Sequence, residues 1–378
     1  MSIYLDWNAT TPPREVAINA WAECQRSAWG NPASIHSQGQ AARHHWDQAR
    51  AMIGKALDCR LSGIVFTSGG TEANNLAIHA ALHGASPGTA VASAIDHSSI
   101  LRPLEQYPMH QVQLARVDGA ARIDADHLRS LLDHRCRLVC LQFANNETGT
   151  LQDLGQLVPL VRAAAPQAHI HCDAAQGAGK TPLAFQALGV DTLAISAHKF
   201  GGPKGAGALL CANPGPFTAQ LYGGGQQQNR RSGTEDVAGA LAMAYALDEY
   251  IAHMAAEIPR QRALLEATFA RCQQALPQLR WLAQEAERLA NTCSLAHPGV
   301  HSDPLTMRLD LAGIACSRGS ACMAAKRQPS HVVSALGLDP GLAASVLRLS
   351  IGPDTTAADL DAFAEAYIAI VSDICSKA

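Results

Sequence analysis

The sequence predicts an α/β protein with a large, mostly parallel sheet covered by helices, followed by a smaller α+β domain. From residue 63 to 212, short apolar runs alternate with stretches that carry apolar residues at helical spacing. This alternation is typical of a parallel sheet with helices on both faces. From about residue 276 to 378, short strand-like runs mix with helical stretches, and the regular alternation is lost.

The predicted elements follow along the chain in this order. Residues 1–14 form an irregular arm, a helix begins near Glu15, and a second helix ends near Leu57. Apolar, β-branched runs predict strands, and helical spacing predicts helices. The predicted strands are residues 63–67, 90–94, 138–144, 168–172, 192–195 and 206–212, and the predicted helices are 72–82, 153–164 and about 235–275. A later strand is expected in the run VLRLSIG, which contains Arg348.

Composition and charge narrow the function classes. Hydrophobic residues make up 48% of the 378 residues and charged residues 16%, which fits a globular chain with a large core. The net charge of −3 gives no basic footprint for nucleic acid. The eleven cysteines form no regular framework, and the first residues, MSIYLDWNATTP, lack a signal-peptide pattern. We therefore expect a cytoplasmic protein that binds neither nucleic acid nor a membrane directly.

The stretch SAHKFGGPKGAG, residues 196–207, places a lysine directly after a strand. Lys199 follows the apolar run at residues 192–195, and several glycines follow it. An amine delivered at a strand end beside a flexible turn suits Schiff-base chemistry. The alternative is a solvated lysine in a loop, because lysine is rarely buried without a partner.

A second polar strand end supports the reactive interpretation. Asp173 follows the apolar run at residues 168–172, and ligands bind at the carboxyl edge of parallel sheets. A lysine with an aspartate partner is the arrangement that pyridoxal phosphate (PLP) requires. The turn Ser68–Thr71, between a strand and a helix, predicts either a phosphate site or a simple helix cap.

The chain resembles the NifS/IscS-like cysteine desulfurases, which belong to class V of the PLP-dependent enzymes and have the fold type I (aspartate aminotransferase-like) architecture. The resemblance covers residue 4 to about 365. It is specific because nine short motifs occur in the family's order, namely LDWNATTP, GNPASIH, FTSGGTEANN, NNETG, HCDAAQ, SAHKFGGPKG, RRSGTE, SRGSAC and LRLSIG.

The resemblance implies cofactor contacts for several motif residues. Lys199 would form the Schiff base with PLP, and Asp173 would keep the pyridine nitrogen protonated. Gln176 would donate to the phenolate oxygen of the ring. His97 would stack over the ring and move protons, although it also fits an ordinary polar residue before a helix. The other implied cofactor contacts are Gly70, Thr71, Ser196 and His198 around the phosphate, and Asn146 near the ring.

The resemblance also implies how the substrate and a second subunit are bound. Arg348 would grip the carboxylate of L-cysteine, for which its bidentate fork is suited, with Asn146 close to the substrate. Thr234 would reach the phosphate of the neighbouring subunit. We therefore expect a homodimer with shared active sites, in which no metal takes part.

Cys322 decides the reaction type. It ends the run GSAC, which resembles the loop of the desulfurase nucleophile. The implied reaction converts L-cysteine to L-alanine, leaves a persulfide on Cys322, and passes the sulfur to an acceptor protein. A lone cysteine of this kind could instead be one more small hydrophobe in a core.

The expected domains are a large PLP-binding domain at residues 15–250 and a small domain formed by residues 1–14 and 251–378, which carries the cysteine loop at about 316–329. A selenocysteine lyase or another class V enzyme is an alternative, as is a non-enzymatic sulfur-relay or scaffold partner with a vestigial site. The acceptor stays open among an iron–sulfur scaffold, a tRNA thiolation enzyme and a DNA phosphorothioation system. The sequence departs from the family pattern at Trp7, Asp96 and Arg318.

Overall fold

A computed structural model describes residues 3–213, 215, 217–318 and 330–377. The predicted nucleophile, Cys322, and most of its loop lie outside these described residues. Within them, the chain forms one large sheet, two small ones and the helices that cover them.

The large sheet is a nearly parallel, seven-stranded sheet. Its strands are β2 (Ile64–Thr67), β3 (Gly88–Ser93), β4 (His110–Ala115), β5 (Cys136–Gln142), β6 (His169–Asp173), β7 (Thr192–Ser196) and β8 (Gly207–Cys211). The spatial order is β2-β8-β7-β6-β5-β3-β4. Only β8 runs antiparallel to its neighbours, β7 and β2, and all other pairs are parallel. Since two reversals cancel, β2 points in the same direction as β7.

Helices cover this sheet. They are α1 (Glu15–Ser27), α2 (Ser37–Leu57), α3 (Gly70–Leu82), α4 (Ser98–Leu104), α5 (Ala125–Ser130), α6 (Leu154–Ala164), α7 (Phe185–Leu188), α8 (Gln226–Asn229) and α9 (Val237–Ala275). The apolar residues of α2 recur at helical spacing, so that Ala42, Trp46, Ala49 and Ile53 are all buried in the main core. Helices α1 and α2 both pack against α9.

The smaller sheets belong to the N-terminal arm and the last third of the chain. Strands β9 (Arg280–Trp281), β10 (Thr292–Ala296) and β12 (Leu347–Ser350) form an antiparallel sheet, and β1 (Ile3–Tyr4) pairs in parallel with β11 (Ile314–Ala315). Helices α10 (Ser302–Leu311), α11 (His331–Ala335), α12 (Pro340–Ala343) and α13 (Ala357–Ser376) accompany them. The arm therefore pairs with a strand of the last third of the chain, and its assignment to the smaller domain stays a prediction.

Helix α9 joins the two cores. Its residues from Val237 to Leu247 are buried in the main core, whereas Leu265, Phe269 and Cys272 are buried in the core of the smaller sheets. The expected domain boundary near residue 250 therefore falls inside one continuous helix. The boundary itself stays a prediction.

The α/β class with a mostly parallel sheet is confirmed, and the predicted strands agree with the observed ones to within about two residues. Strand β4 was missed. It lies at the sheet edge, and the residues of its central part are largely exposed, so it lacks the apolar run that marks the buried strands. In the described ranges, no helix is both long and apolar enough to cross a membrane.

Trp7 packs directly on the backbone of Gly352. The indole is buried, and its Nε1 donates to the carbonyl oxygen of Tyr4 at 3.1 Å. A Cβ atom built on Gly352 would overlap the ring carbons of Trp7. The bulky residue in the arm is therefore accommodated by a glycine after β12.

We expect Gly352→Ala to lower the free energy of unfolding by about 1–3 kcal/mol, because the added methyl group overpacks the Trp7 site. Gly119→Ala is the matched control, since a Cβ atom there meets nothing within 4 Å and should change stability by less than about 0.5 kcal/mol. Urea denaturation of both variants measures the difference. Equal stability of the two variants would show that Trp7 moves aside at no cost.

Candidate active site

The predicted site residues converge at one edge of the large sheet. His97 follows β3, Asn146 follows β5, Asp173 ends β6 and Lys199 lies in the turn after β7. These strands are parallel, so their carboxyl ends share an edge. Because β2 points the same way as β7, Gly70 at the start of α3 joins the same edge.

Lys199 reaches the N-terminal arm. It ends a single 3₁₀ turn, residues Ala197–Lys199, directly after β7. Its Nζ atom donates to the carbonyl oxygens of Asn8 at 2.7 Å and Ala9 at 2.9 Å. Gly201, just after this turn, has φ +80°, and a Cβ atom there would overlap the side chain of Arg14, so the turn requires glycine.

Asp173 is held from two sides. Its Oδ1 accepts from the backbone N–H of Ala175 at 3.0 Å, and its Oδ2 accepts from Nδ2 of Asn74 at 2.8 Å. Asn74 is only 1% exposed and lies on α3. The carboxylate is thus fixed at the strand end, where it could pair with a positively charged ring nitrogen.

His97 caps helix α4. Its Nδ1 accepts from the backbone N–H of Ser99 at 3.1 Å and lies 2.8 Å from the Ser99 hydroxyl oxygen. Burial lowers the pKa of His97, and the nearby Asp173 only partly opposes this effect. The imidazole is therefore mainly neutral near pH 7, with Nδ1 engaged by Ser99.

Asp96, directly before His97, is a buried carboxyl group. Its Oδ2 accepts from the backbone N–H of Ser93 at 2.7 Å, while Oδ1 has no hydrogen-bond partner among the described residues. Burial raises the pKa of Asp96 to about 8, with a further contribution from Asp173. The side chain is accordingly protonated at neutral pH.

The start of α3 forms a cradle for an anion. The first N–H groups of any helix lack an intrahelical partner. The N-cap residue of α3, Gly69, has φ +149° and supplies no side chain to cap them. A Cβ atom on Gly70 would lie 3.3 Å from Cβ of Ser196, which shows how close the Ser196 side chain comes. Thr71 is exposed beside it. A helix N-terminus with these neighbours suits a phosphate group.

Glu72 in the first turn of α3 and His198 after β7 are each held by other parts of the chain. Glu72 pairs with Arg231 at 2.8 Å and accepts from the backbone N–H of Ser68 at 2.7 Å. Nδ1 of His198 lies 3.2 Å from the hydroxyl oxygen of Thr10. Burial, assisted by the charge of Lys199, lowers the pKa of His198 to about 4, so it is a neutral imidazole at pH 7.

Gln176 belongs to a buried polar cluster that includes a second lysine. Its Oε1 accepts from Nζ of Lys180 at 2.6 Å, and its Nε2 donates to the carbonyl oxygen of Asn8 at 3.0 Å. Lys180 also donates to Oδ1 of Asn8 at 2.9 Å. Burial lowers the pKa of Lys180 well below its usual value, and the charge of Lys199 adds to this effect.

Arg348 enters the site from β12. The side chain is 1% exposed, and its Nη2 pairs with Asp6 at 2.6 Å while Nη1 donates to the carbonyl oxygen of Asn146 at 3.0 Å. Its Nε is buried and has no hydrogen-bond partner in the part of the chain that the structure describes. A buried, unpartnered guanidinium N–H is a donor prepared for a carboxylate.

Thr234 is exposed. With Thr67, Ser68 and Gly207 it lines a small cavity of the same chain. Its exposure would permit contact with a second subunit. The contact of Thr234 with a neighbouring subunit stays a prediction.

The described cysteines differ sharply in exposure. Cys316 is partly exposed, and burial of its thiol raises its pKa to about 12. Cys375 is exposed near the end of α13, and the remaining described cysteines are buried. Cys322 lies outside the described residues. Arg318, before it in the chain, forms an ion pair with Asp303, so part of its charge is balanced.

The sequence analysis missed Asn8, Asn74 and Lys180. Asn74 carried a usable signal, because an amide on the same helical face as Ile78 is unusual unless it has a buried partner. Asn8 and Lys180 lie in the stretches LDWNATTP and DAAQGAGK, but their contacts come from distant parts of the chain and leave no local pattern.

Comparisons with known proteins agree with this geometry. The family description "Aminotransferase class-V" matches residues 3–363. A cysteine desulfurase from Cereibacter sphaeroides is 37% identical over 98% of this chain and 96% of its own length. Cysteine desulfurase IscS from Dictyoglomus turgidum is 34% identical over 95% of this chain and 92% of its own.

Solved structures show the same relationship. A NifS-like protein superposes with a TM-score of 0.92 at 28% identity, covering 98% of this chain and 100% of its own. The NifS-like protein from Rickettsia africae gives 0.89 at 30% identity, with 98% and 100% covered.

The chain therefore belongs to the class V aminotransferase family. Within that family it is a member of the NifS/IscS-like cysteine desulfurases, the group whose curated relatives align over nearly its full length.

We expect Asp96→Asn to remove a pH-dependent loss of stability. The folded state holds a proton on Asp96 up to about pH 8, whereas the unfolded state releases it near its ordinary pKa of about 4. Stability from this proton is therefore present below pH 4 and lost as the pH rises toward 8, by at most about 1.4 kcal/mol per pH unit.

The measurement is urea denaturation of the apoprotein between pH 5 and 8. The stability of the wild type should fall relative to Asp96→Asn as the pH rises, and the exposed Asp126→Asn serves as control. Parallel pH profiles for wild type and Asp96→Asn would contradict a protonated Asp96.

Proposed function

We propose that this chain is a PLP-dependent desulfurase that converts L-cysteine to L-alanine and transfers the sulfur first to Cys322 and then to an acceptor protein. One observation carries the proposal: Lys199, Asp173 and His97 meet at the same sheet edge as the anion cradle, with Arg348 entering from the second sheet. A non-enzymatic relay protein would have no need of this arrangement.

The residues present fit the cofactor. The N–H groups at the start of α3, which Gly69 does not cap, would hold the phosphate together with Gly70, Thr71 and Ser196. Asp173 would pair with the ring nitrogen, Gln176 would donate to the phenolate oxygen, and Lys199 would bind the cofactor covalently through Nζ. When bound, PLP supplies an electron sink that stabilises negative charge at the substrate Cα.

The chain's own groups would handle the substrate. Arg348 would bind the carboxylate through its unpartnered Nε, which orients the Cα–H bond toward Lys199. Once the substrate amine replaces it on the cofactor, Nζ of Lys199 would be an amine able to accept the Cα proton, and the carbonyl oxygens of Asn8 and Ala9 would stabilise the resulting ammonium group. His97, mainly neutral because burial lowers its pKa, would present a ring N–H donor on the other side.

The sulfur transfer balances without an added oxidant. An S–S bond forms between Sγ of Cys322 and the substrate sulfur, and the Cβ–S bond of the substrate breaks. The electron pair of that bond stays on the substrate carbon, which is protonated to give L-alanine. The net reaction is L-cysteine plus the Cys322 thiol giving L-alanine plus the Cys322 persulfide.

We further propose that the enzyme is a cytoplasmic homodimer. The exposed position of Thr234 supports a contact with the neighbouring subunit. Cysteine as the substrate is supported by the 25% identical structure titled "SspA in complex with cysteine", which covers 94% of this chain and 100% of its own with a TM-score of 0.81.

We expect borohydride reduction of the PLP-loaded protein to fix the cofactor on Lys199 alone. Lys199→Ala should abolish turnover, because the covalent attachment and the proton acceptor are lost together. Lys204→Ala is the matched control, since Lys204 is an exposed amine five residues further along. Peptide mapping by mass spectrometry is the measurement, and PLP found on Lys180 or Lys204 would overturn the assignment.

We expect Cys322→Ser to bind PLP and to show a change in visible absorbance with L-cysteine, yet to form no persulfide and no sulfide. A serine hydroxyl cannot act as the soft nucleophile that sulfur abstraction requires. Mass spectrometry of wild type after mixing with L-cysteine should show one added sulfur atom on Cys322. Added sulfur on Cys316 or Cys375 instead would show that Cys322 is not the nucleophile.

A further inference from the structure

Asn74 lies between two residues of the proposed site. Its Nδ2 atom donates to Oδ2 of Asp173 at 2.8 Å and to the hydroxyl oxygen of Ser99 at 2.8 Å. Its Oδ1 lies 2.9 Å from Nε2 of His171. The amide thus uses both of its N–H groups and its oxygen, although it belongs to α3 and not to a strand end.

The chemistry of the groups decides which atom donates in the hydrogen bonds of Asn74 with Asp173 and His171. A carboxylate only accepts, so the NH₂ group of Asn74 must face Asp173, and its oxygen must face His171. Nε2 of His171 therefore carries a hydrogen and donates. Burial lowers the pKa of His171 to about 3, so this imidazole is neutral and its Nδ1 accepts.

The hydrogen bonds that His171 and His169 form with Thr192 have the same donor-to-acceptor order. The Thr192 hydroxyl oxygen, 2.9 Å from Nδ1 of His171, must donate to it. The same hydroxyl oxygen then accepts from Nε2 of His169 at 2.8 Å. From His169 through Thr192, His171 and Asn74, each group donates a hydrogen bond to the next group on the way to Asp173. Reversing any one of these groups would break at least one of the bonds.

The other branch reaches His97. Because the Ser99 hydroxyl oxygen accepts from Asn74, its own hydrogen is directed to Nδ1 of His97 at 2.8 Å. Nδ1 also accepts the backbone N–H of Ser99. The hydrogen of the neutral His97 imidazole is therefore on Nε2.

We propose that Asn74 is a positioning residue that couples Asp173 to His97, and that His171 holds the Asn74 amide in the required orientation. Its role toward PLP rests on the proposed function. Asn74 fixes the carboxylate that faces the ring nitrogen and, through Ser99, fixes the tautomer of the imidazole that stacks on the ring. One buried amide thereby sets the hydrogen bonding of both groups.

The first test reads the tautomers directly in the full-length chain, with and without PLP. In ¹⁵N-histidine NMR spectra, His97 and His171 should both be neutral with hydrogen on Nε2. Their signals are assigned by their loss in the single variants His97→Gln and His171→Gln. Hydrogen on Nδ1 of either residue would reverse the deduced bonds and overturn the proposal, whether or not the protein is a desulfurase.

The second test removes the amide. Asn74→Leu keeps the volume but no polar atom, and Asn75→Leu is the matched control one residue along, where the amide donates to the carbonyl oxygen of Thr71. Asn74→Leu should weaken PLP binding about tenfold, as expected for loss of a hydrogen bond to a charged group. It should also shift the ¹⁵N signal of ring-labelled PLP toward the unprotonated value.

The third test separates positioning from stability. His171→Gln retains an N–H donor at the place of Nε2, whereas His171→Asn retains only a group at the place of Nδ1. His171→Gln should therefore keep the PLP affinity and the ring-nitrogen shift, and His171→Asn should lose both, as Asn74→Leu does. This pair decides the question even if Asn74→Leu fails to fold.

The outcomes of these tests are distinct. Equal PLP affinity and equal ring-nitrogen shifts in Asn74→Leu and Asn75→Leu, or in the two His171 variants, would show that the amide has only a structural role and would overturn the proposal. Failure of the wild type to bind PLP would overturn the proposed function, while the histidine spectra would still test the bond directions.

Discussion

Asn8 connects the large sheet to the antiparallel sheet of β9, β10 and β12 through every polar group it possesses. Its partners are the Ser350 hydroxyl for the backbone N–H, Lys199 and Gln176 for the carbonyl oxygen, Lys180 and Asn291 for Oδ1, and Asn146 and Thr292 for Nδ2. The side chain is buried, so each of these bonds would be costly to leave unmade. The relative position of Lys199 and the strand that carries Arg348 depends on this one residue of the arm.

This arrangement explains how the site tolerates several cations in a buried place. Lys199 and Lys180 donate to carbonyl and amide oxygens, and Arg348 pairs with Asp6, which also lies in the arm. Burying a charge is costly unless hydrogen bonds compensate it. Burial lowers the pKa of Lys180 well below its usual value, so its hydrogen bonds offset only part of the cost of burying it. The anionic cofactor and substrate proposed for this site would help to balance its positive groups.

Strand-end reasoning located much of the site because the carboxyl ends of parallel strands share an edge whatever the sequence between them. Lys199, Asp173, His97 and Asn146 are all placed there by topology alone. It could not locate Asn8 or Lys180, because several of their hydrogen-bond partners lie more than a hundred residues away in the sequence. Edge strand β4 was not predicted for a related reason: its exposure is set by its place in the sheet, which no local run of residues encodes.

The strand of Arg348, the proposed substrate-binding residue, also pairs with Ser317 near the predicted cysteine loop. The backbone N–H of Arg348 donates to the carbonyl oxygen of Ser317 at 2.6 Å and its carbonyl oxygen accepts from the Ser317 N–H at 3.2 Å, just before the loop predicted to carry the nucleophile. After that loop, the Ser330 hydroxyl donates to Glu147, next to Asn146, and Nε2 of His331 bonds to the carbonyl oxygen of Asp96, next to His97. The described residues on either side of the predicted loop therefore contact Arg348 itself and the neighbours of Asn146 and His97. A change that displaces Arg348 or Asp96 would also disturb Ser317 or His331, so the proposed binding of the carboxylate and the proposed delivery of the Cys322 thiol depend on shared contacts.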